Sequence, residues 1–295
     1  MRHILIVLVL FFSSIIAVTA QSPLLLPARQ ASLCADLAPF LHGVASGDPL
    51  PDRVIIWTRV TPDSTVTGPV IVSWRMATDT GMTQVVASGS QITNAVVDYT
   101  VKVDVTGLAA DSWYYYEFTA LGINSLRGRT RTAPLAMADS LRFAIVSCAN
   151  FEAGFFNVYR SIYERRDIDA VVCLGDYIYE YETGGYAPNS QANRQWQPAN
   201  EIVTLTDYRT RYSTYHLDDD LRKLHQQYPW ILVWDDHESA NDSWMNGAQN
   251  HQTNEGIWSA RKSAAIQAYF EWLPVRRPNP NNNEQIYRNL TFGPL

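Results

Sequence analysis

The sequence predicts an α+β chain of two domains, an antiparallel β-sandwich over residues 40–133 followed by an α/β part over 141–295. Two patterns predict this division. Strand-period alternation without a helical stretch runs through the first region, and strand–helix–strand grammar begins after the second boundary. A third observation points to chemistry: two apolar runs, Asp169–Leu174 and Pro229–Trp234, end abruptly in acidic and aromatic residues. In open α/β sheets, ligands bind outside the carboxyl ends of the strands.

The chain opens with Arg2 and an apolar stretch, Ile4 to Val18, that leads into Val18-Thr19-Ala20. This reads as a secretory signal peptide over residues 1–20, since the run is shorter than the roughly 20 residues of a membrane-spanning helix. No membrane span is then expected after signal cleavage. The four runs Val54–Val60, Val70–Met76, Val96–Val105 and Trp113–Phe118 are separated by Pro, Gly, Asn and Asp clusters, the spacing of a small β-sandwich. Trp57, Trp74 and Tyr115 are read as core residues. Thr132 to Ser140, with its small residues and proline, reads as a linker.

Past the linker, Leu141–Cys148 is read as a strand, Gly154–Arg166 as a helix with Phe155, Val158, Tyr159, Ile162 and Tyr163 on one face, and the run from Asp169 as a second strand. Such a unit is a right-handed crossover with both strand ends at one sheet edge, so Cys148 and Asp176 are expected to be close. A polar loop from Glu182 to about Glu201 is expected over the site edge. Thr206–Gln227 is read as helical with Thr206 or Asp207 as its cap, Asp218-Asp219-Asp220 as a solvated turn, Gly256–Trp272 as an amphipathic helix and Gln285–Phe292 as a further strand.

Composition narrows the function. A net charge of −6 and three lysines, Lys102, Lys223 and Lys262, exclude the concentrated basic face of a nucleic-acid-binding surface and favour a small-molecule partner. Three cysteines are too few for a disulfide scaffold. Cys173 is read as a buried inert thiol. Cys148 is either a metal ligand or half of a bridge to Cys173. Asp176 and Tyr179 at one strand end, Cys148 at another, and Asp235-Asp236-His237-Glu238 at a third form an oxygen-rich set with one soft donor. Carboxylates suit hard ions, whereas a phenolate and a thiolate favour a ferric-type ion. Two ions bridged by one aspartate would clamp a phosphoryl group, with His237 placed to stabilise the transition state or protonate the leaving alkoxide.

These residues also carry a resemblance. His42-Gly-Val-Ala-Ser-Gly-Asp-Pro49, Trp57-Thr-Arg59, Gly128 to Pro134, Ser147-Cys148, Leu174 to Tyr181, Tyr208 to Tyr212, Trp234 to Glu238 with Asn241-Asp242, and Glu271 to Arg276 occur in the order found in PhoD-like alkaline phosphatases. The chain resembles that branch of the metallophosphoesterases from His42 to Arg288. The resemblance implies an immunoglobulin- or fibronectin-like N-terminal domain, then a four-layered α/β/β/α metallophosphoesterase domain acting on phosphate monoesters or diesters. It implies ferric iron and calcium as cofactors: Cys148, Asp176 and Tyr179 at the iron, Asp176 bridging, Asp236 in the place of the superfamily's asparagine, and His237 as the catalytic histidine. Two departures accompany it. Leu295 precedes any Gly-Asp-Val-His-type segment, which predicts a partial catalytic domain with an incomplete ligand set and an exposed sheet, and Arg2 stands alone where a twin-arginine signal is frequent. The alternative is a non-catalytic secreted protein, either a degenerate relative or a β-sandwich binding module.

Overall fold

The computed structural model describes residues 34–294 apart from 64 and 67, and the expected signal peptide lies outside them. The first eight strands are β1 (Val44–Leu50), β2 (Arg53–Arg59), β3 (Val70–Ala77), β4 (Val85–Thr93), β5 (Thr100–Thr106), β6 (Trp113–Ala120), β7 (Ile123–Asn124) and β8 (Gly128–Arg131). Strands β4, β3, β6 and β7 lie in that order in one antiparallel sheet, with β8 also on β6. Alternation sets its inner face: Val70, Val72, Tyr116 and Phe118 pack in one apolar cluster with Val54, Ile56 and Val103 of β2 and β5, while Ile71 faces solvent.

The second sheet crosses the expected domain boundary. Its order is β5-β2-β1-β11-β10-β9, where β9 is Phe143–Val146, β10 is Ala170–Cys173 and β11 is Pro229–Leu232. Strand β1 pairs antiparallel with β2 on one side and parallel with β11 on the other, at Ser46↔Pro229 and Gly47↔Trp230. Glycine makes the join possible, because a Cβ at Gly47 would stand 2.7 Å from the Trp230 carbonyl oxygen and 2.4 Å from that of Pro274. The break in sequence grammar near 132–140 is thus not a break in the sheet. On the far side β9 is the outermost strand, with Ile145 67% exposed.

The expected crossover is present: α1 (Asn157–Glu164) connects β9 to β10, which pair in parallel with Val146 opposite Cys173. The helix is shorter than expected, because the Asn150 carboxamide oxygen accepts the backbone N–H groups of Glu152 and Ala153 and holds the preceding segment as a turn. Phe155 and Val158 therefore face solvent, and only Tyr159, Ile162 and Tyr163 of the anticipated stripe pack on the core. Helix α2 (Leu205–His216) is capped by Thr204 rather than Thr206. Asp207 is the reciprocal partner in that cap, accepting the Thr204 N–H at 2.9 Å. The acidic triplet is no solvated turn. Asp218 caps α3 (Asp219–Gln227) and pairs with Arg194 at 2.7 Å, while Asp220 is buried in a two-point pair with Arg160.

Strands β12 (Ser243–Trp244) and β13 (Gly247–Ala248) form a small hairpin, and α4 (Trp258–Trp272) follows. Residues 285–292 are not a strand. Arg288 pairs with Asp48 and donates to the Leu232 carbonyl at 3.0 Å, and Phe292 meets Phe143 edge-on, so side chains and not a backbone ladder hold this segment.

Beneath the parallel strands lie three buried histidines. The Tyr177 hydroxyl sits between His225 Nε2 (2.8 Å) and His216 Nε2 (3.2 Å), and His42 Nε2 meets Ser213 Oγ at 2.8 Å. Burial holds all three imidazoles below their ordinary range, His216 down to about 3. The unfolded chain then binds protons that the folded chain refuses. The three imidazoles contribute stability that is fully present above the unfolded value near 6.5 and is lost as pH drops from there towards 3, by about 1.4 kcal/mol per pH unit for each histidine, while buried Glu238, pushed up to about 8, opposes this with a single proton and leaves a net fall on acidification. Urea unfolding at pH 7, 6 and 5 measures this slope, and a flat profile would contradict the buried neutral cluster.

Candidate metal centre

Three parallel strands discharge at one edge, and backbone bonds lock the loops beyond them together. Leu174 N–H donates to Val146 (3.0 Å), Cys148 N–H to Gly175 (3.3 Å) and Ala149 N–H to the Asp176 carbonyl (2.9 Å). The turns are tight: φ is 57° at Cys148, 107° at Gly175 and 53° at Asp176. Left-handed non-glycine residues are uncommon and concentrate at functional sites.

These turns aim the side chains at one point. The Cys148 thiol and the Tyr179 hydroxyl each approach Asp176 Oδ2 at 3.4 Å. Asp176 Oδ1 is buried with no hydrogen-bond partner among the described residues. Ligand atoms of Asp176, Asp236 and His237 all lie within 4.8 Å of one another. A carboxylate with one buried, unpaired oxygen, grouped with an imidazole and a second carboxylate, fits a metal ion, and the adjoining phenol and thiol extend the donor set. Burial pushes the Asp176 carboxyl above its usual range, opposed by His237 and the thiol bond and reinforced by Asp235 and Asp236. Burial and the neighbouring Asp176 charge likewise raise the Tyr179 phenol.

His237 is held from both sides. Its ring stacks on Tyr179 at 4.4 Å, and Nδ1 donates to Glu180 Oε2 at 2.7 Å. Glu180 is fully buried, and its other oxygen accepts the Asn241 N–H (2.7 Å) and the Asn250 amide (2.9 Å). Burial alone would raise the Glu180 carboxyl, but these donors, led by His237, outweigh it and lower it. Burial likewise opposes protonation of His237, and the Glu180 bond overrides it. An ionised acceptor at Nδ1 places a proton there and leaves Nε2 as the ring nitrogen not engaged by Glu180.

The sequence grouped Glu238 with the oxygen donors of the centre, and the structure turns it inward. Its carboxylate accepts the backbone N–H groups of Asp176 (3.1 Å), Asp235 (2.8 Å) and Tyr177 (2.5 Å), and burial pushes it up to about 8. Two further residues went unread. Glu180, a lone charge among aromatics, had a signal in its pattern. Arg211 lay within the Tyr208–Tyr212 motif with no role read for it: it is fully buried and donates to the carbonyls of Tyr179, Tyr181, Gln197, Pro198 and Asn200, tying the polar loop to the site. That loop lies where expected, with Tyr186 stacked on Tyr181 (4.9 Å) and Tyr179 (5.6 Å).

All three cysteines are free, so Cys148 and Cys173 form no bridge. Cys148 is exposed, whereas Cys34 and Cys173 are buried and burial pushes Cys173 up to about 12. A thiol reagent applied to the native, metal-free protein should modify one equivalent rapidly, at Cys148, and the other two only in denaturant. Rapid reaction of more than one equivalent would contradict this burial.

An α/β protein whose parallel strands gather carboxylates, an imidazole, a phenol and a thiol at one edge has the layout of a metal-centred hydrolase. The profile described as "PhoD-like phosphatase" matches residues 143–295, and that described as "PhoD-like phosphatase, N-terminal domain" matches 28–134. Alkaline phosphatase D of Bacillus subtilis (strain 168) is 37% identical over 266 residues, covering 87% of this chain and 45% of that protein. The solved structure of PhoD superposes with a TM-score of 0.79 at 35% identity, over 87% of this chain and 50% of that one. A purple acid phosphatase from yellow lupin seeds shares the fold at a TM-score of 0.53 and 14% identity, over 87% of this chain and 43% of that chain. The chain belongs to the PhoD-like phosphatase family. It spans about half the length of these relatives.

Proposed function

We propose that this chain carries the N-terminal β-domain (40–133) and part of the catalytic domain (141–295) of an exported, metal-dependent phosphatase acting on small phosphate monoesters or diesters. The observation that carries the reading is the grouping of Asp176, Asp236 and His237 with Asp176 Oδ1 buried and unpartnered, and with Cys148 and Tyr179 against the same carboxylate. Family membership supports it, as do the profile matches on either side of residue 140.

In this reading Cys148, Asp176 and Tyr179 would hold ferric iron, with calcium as the companion ion and Asp236 completing the donor set. When bound, such ions supply concentrated positive charge against the phosphoryl oxygens. His237, with Nδ1 fixed on Glu180, presents Nε2 to the leaving oxygen and carries its proton. Export rests on the residues 1–20 pattern, and among the described residues no helix is long and apolar enough to cross a membrane.

The test is elemental analysis of the purified chain together with hydrolysis of 4-nitrophenyl phosphate and bis(4-nitrophenyl) phosphate. Bound iron and calcium with chelator-sensitive turnover are expected. A chain that binds neither ion and hydrolyses neither ester refutes the reading and favours a non-catalytic role.

A further inference from the structure

At the opposite edge of the parallel strands from the donor cluster, a cavity of about 470 Å³ opens where β9 and β10 begin. Trp113 of β6 with Arg129 and Arg131 of β8 walls one side, and Arg142 with the loop leading into β10 walls the other. Four arginines and four aspartates line it, yet three of the aspartates are already engaged. Asp169 pairs with Arg131 and accepts the Arg142 backbone N–H at 2.7 Å. Asp111 also pairs with Arg131, and Asp167 pairs with Arg165 at 2.9 Å and with Arg142 at 3.7 Å. Asp139, exposed in the linker, is the carboxylate left over. Against it stand two guanidiniums, Arg129 and Arg166, that make no ion pair among the described residues.

Arg129 is the unusual one. Its guanidinium carbon lies 3.4 Å over the centre of the Trp113 ring, and Nη1 is buried without a hydrogen-bond partner. Nε of neighbouring Arg131 is orphaned as well. Burial holds the Arg129 guanidinium below the ordinary arginine range, and tyrosines, not a carboxylate, oppose that shift. A stacked, partly desolvated guanidinium with unmet N–H groups is short of an acceptor. Arginine meets a phosphate group with two parallel N–H bonds, and stacking on Trp113 fixes the plane in which those donors lie.

We propose that this cavity binds the phosphate group of a small ligand, with Arg129 and Arg166 as its counter-charges. None of its lining residues belongs to the donor cluster, so the site stands apart from the phosphatase reading. The test is calorimetric titration of the chain, with and without chelator, using inorganic phosphate, glycerol 3-phosphate and sodium chloride. Saturable binding of one phosphate group per chain, kept in chelator, is expected. Arg166→Gln, at an exposed position that leaves the fold intact, should weaken it about tenfold to a hundredfold, the contribution of one charge-assisted hydrogen bond. Arg129→Lys keeps the charge but not the planar fork and should weaken it about tenfold. Arg277→Gln, an equal loss of charge on an exposed side chain outside the cavity, should leave the affinity unchanged. Tighter binding of glycerol 3-phosphate than of inorganic phosphate makes the ligand an organic phosphate, and equal or weaker binding makes it free phosphate; the site stands in both cases. No saturable binding, an affinity unchanged in Arg166→Gln, or chloride bound as tightly as phosphate overturns the proposal. Phosphate binding that vanishes in chelator and ignores both arginines belongs to the donor cluster and overturns it as well.

Discussion

Asp176→Asn should leave the protein folded and lower its metal affinity by at least about a hundredfold, with turnover falling alongside. Removing an outer partner of a metal ligand costs about 10–100-fold. Asp176 stands at the focus of the donors themselves, with Oδ1 unpaired and Oδ2 shared by Cys148 and Tyr179. The substitution is clean because asparagine keeps the size and one acceptor oxygen, and it tolerates the left-handed backbone at φ 53°. What is lost is a charge, not packing. Circular dichroism and urea unfolding verify the fold, and elemental analysis with ester hydrolysis gives the readout. Full metal content with full turnover in the variant would show that Asp176 is not a ligand.

The second large effect belongs to the backbone beside it. Gly175→Ala should destabilise the protein by about 2–5 kcal/mol, combining left-handed strain with overpacking. The added Cβ would stand 2.4 Å from the Asp235 nitrogen at a φ of 107°, and its other neighbours, the Asp235 Cβ and the Trp234 carbonyl carbon, are fixed by the backbone of the adjoining strand end and cannot swing away. The Gly175 carbonyl also receives the Cys148 N–H, so any relief shifts the thiol from the cluster. Gly154→Ala is the control. No atom lies within 4 Å of a Cβ there, and its effect should stay within about 0.5 kcal/mol. Chemical denaturation of both variants makes the comparison, and a Gly175→Ala protein as stable as wild type would contradict the close approach of these strand ends.

Much of the centre was legible because its residues sit where periodic apolar runs stop. Apolar strands ending at Cys148, Asp176 and Asp236 share one edge once the β9–α1–β10 crossover is granted, and the parallel pairing of Val146 with Cys173 follows from it. Helix limits were less legible. Thr204 and Thr206 are both competent caps, and the choice falls to the residue whose backbone Asp207 can reach. Asp218 and Asp220 look like a surface turn until Arg194 and Arg160 arrive from distant segments.

Local pattern alone determined the alternating strands of the first region, the crossover after residue 141 and the clustering of carboxylates, phenol, thiol and imidazole at strand ends. These features depend on side-chain spacing along a few consecutive residues, which a sequence displays directly. Only the tertiary structure decided that β1 would join β11 into one sheet, that Glu238 would turn inward to three backbone N–H groups, and that Glu180 would orient His237. Each is a pairing between groups far apart in the chain, and buried polar groups take whichever partner the packed fold brings within reach.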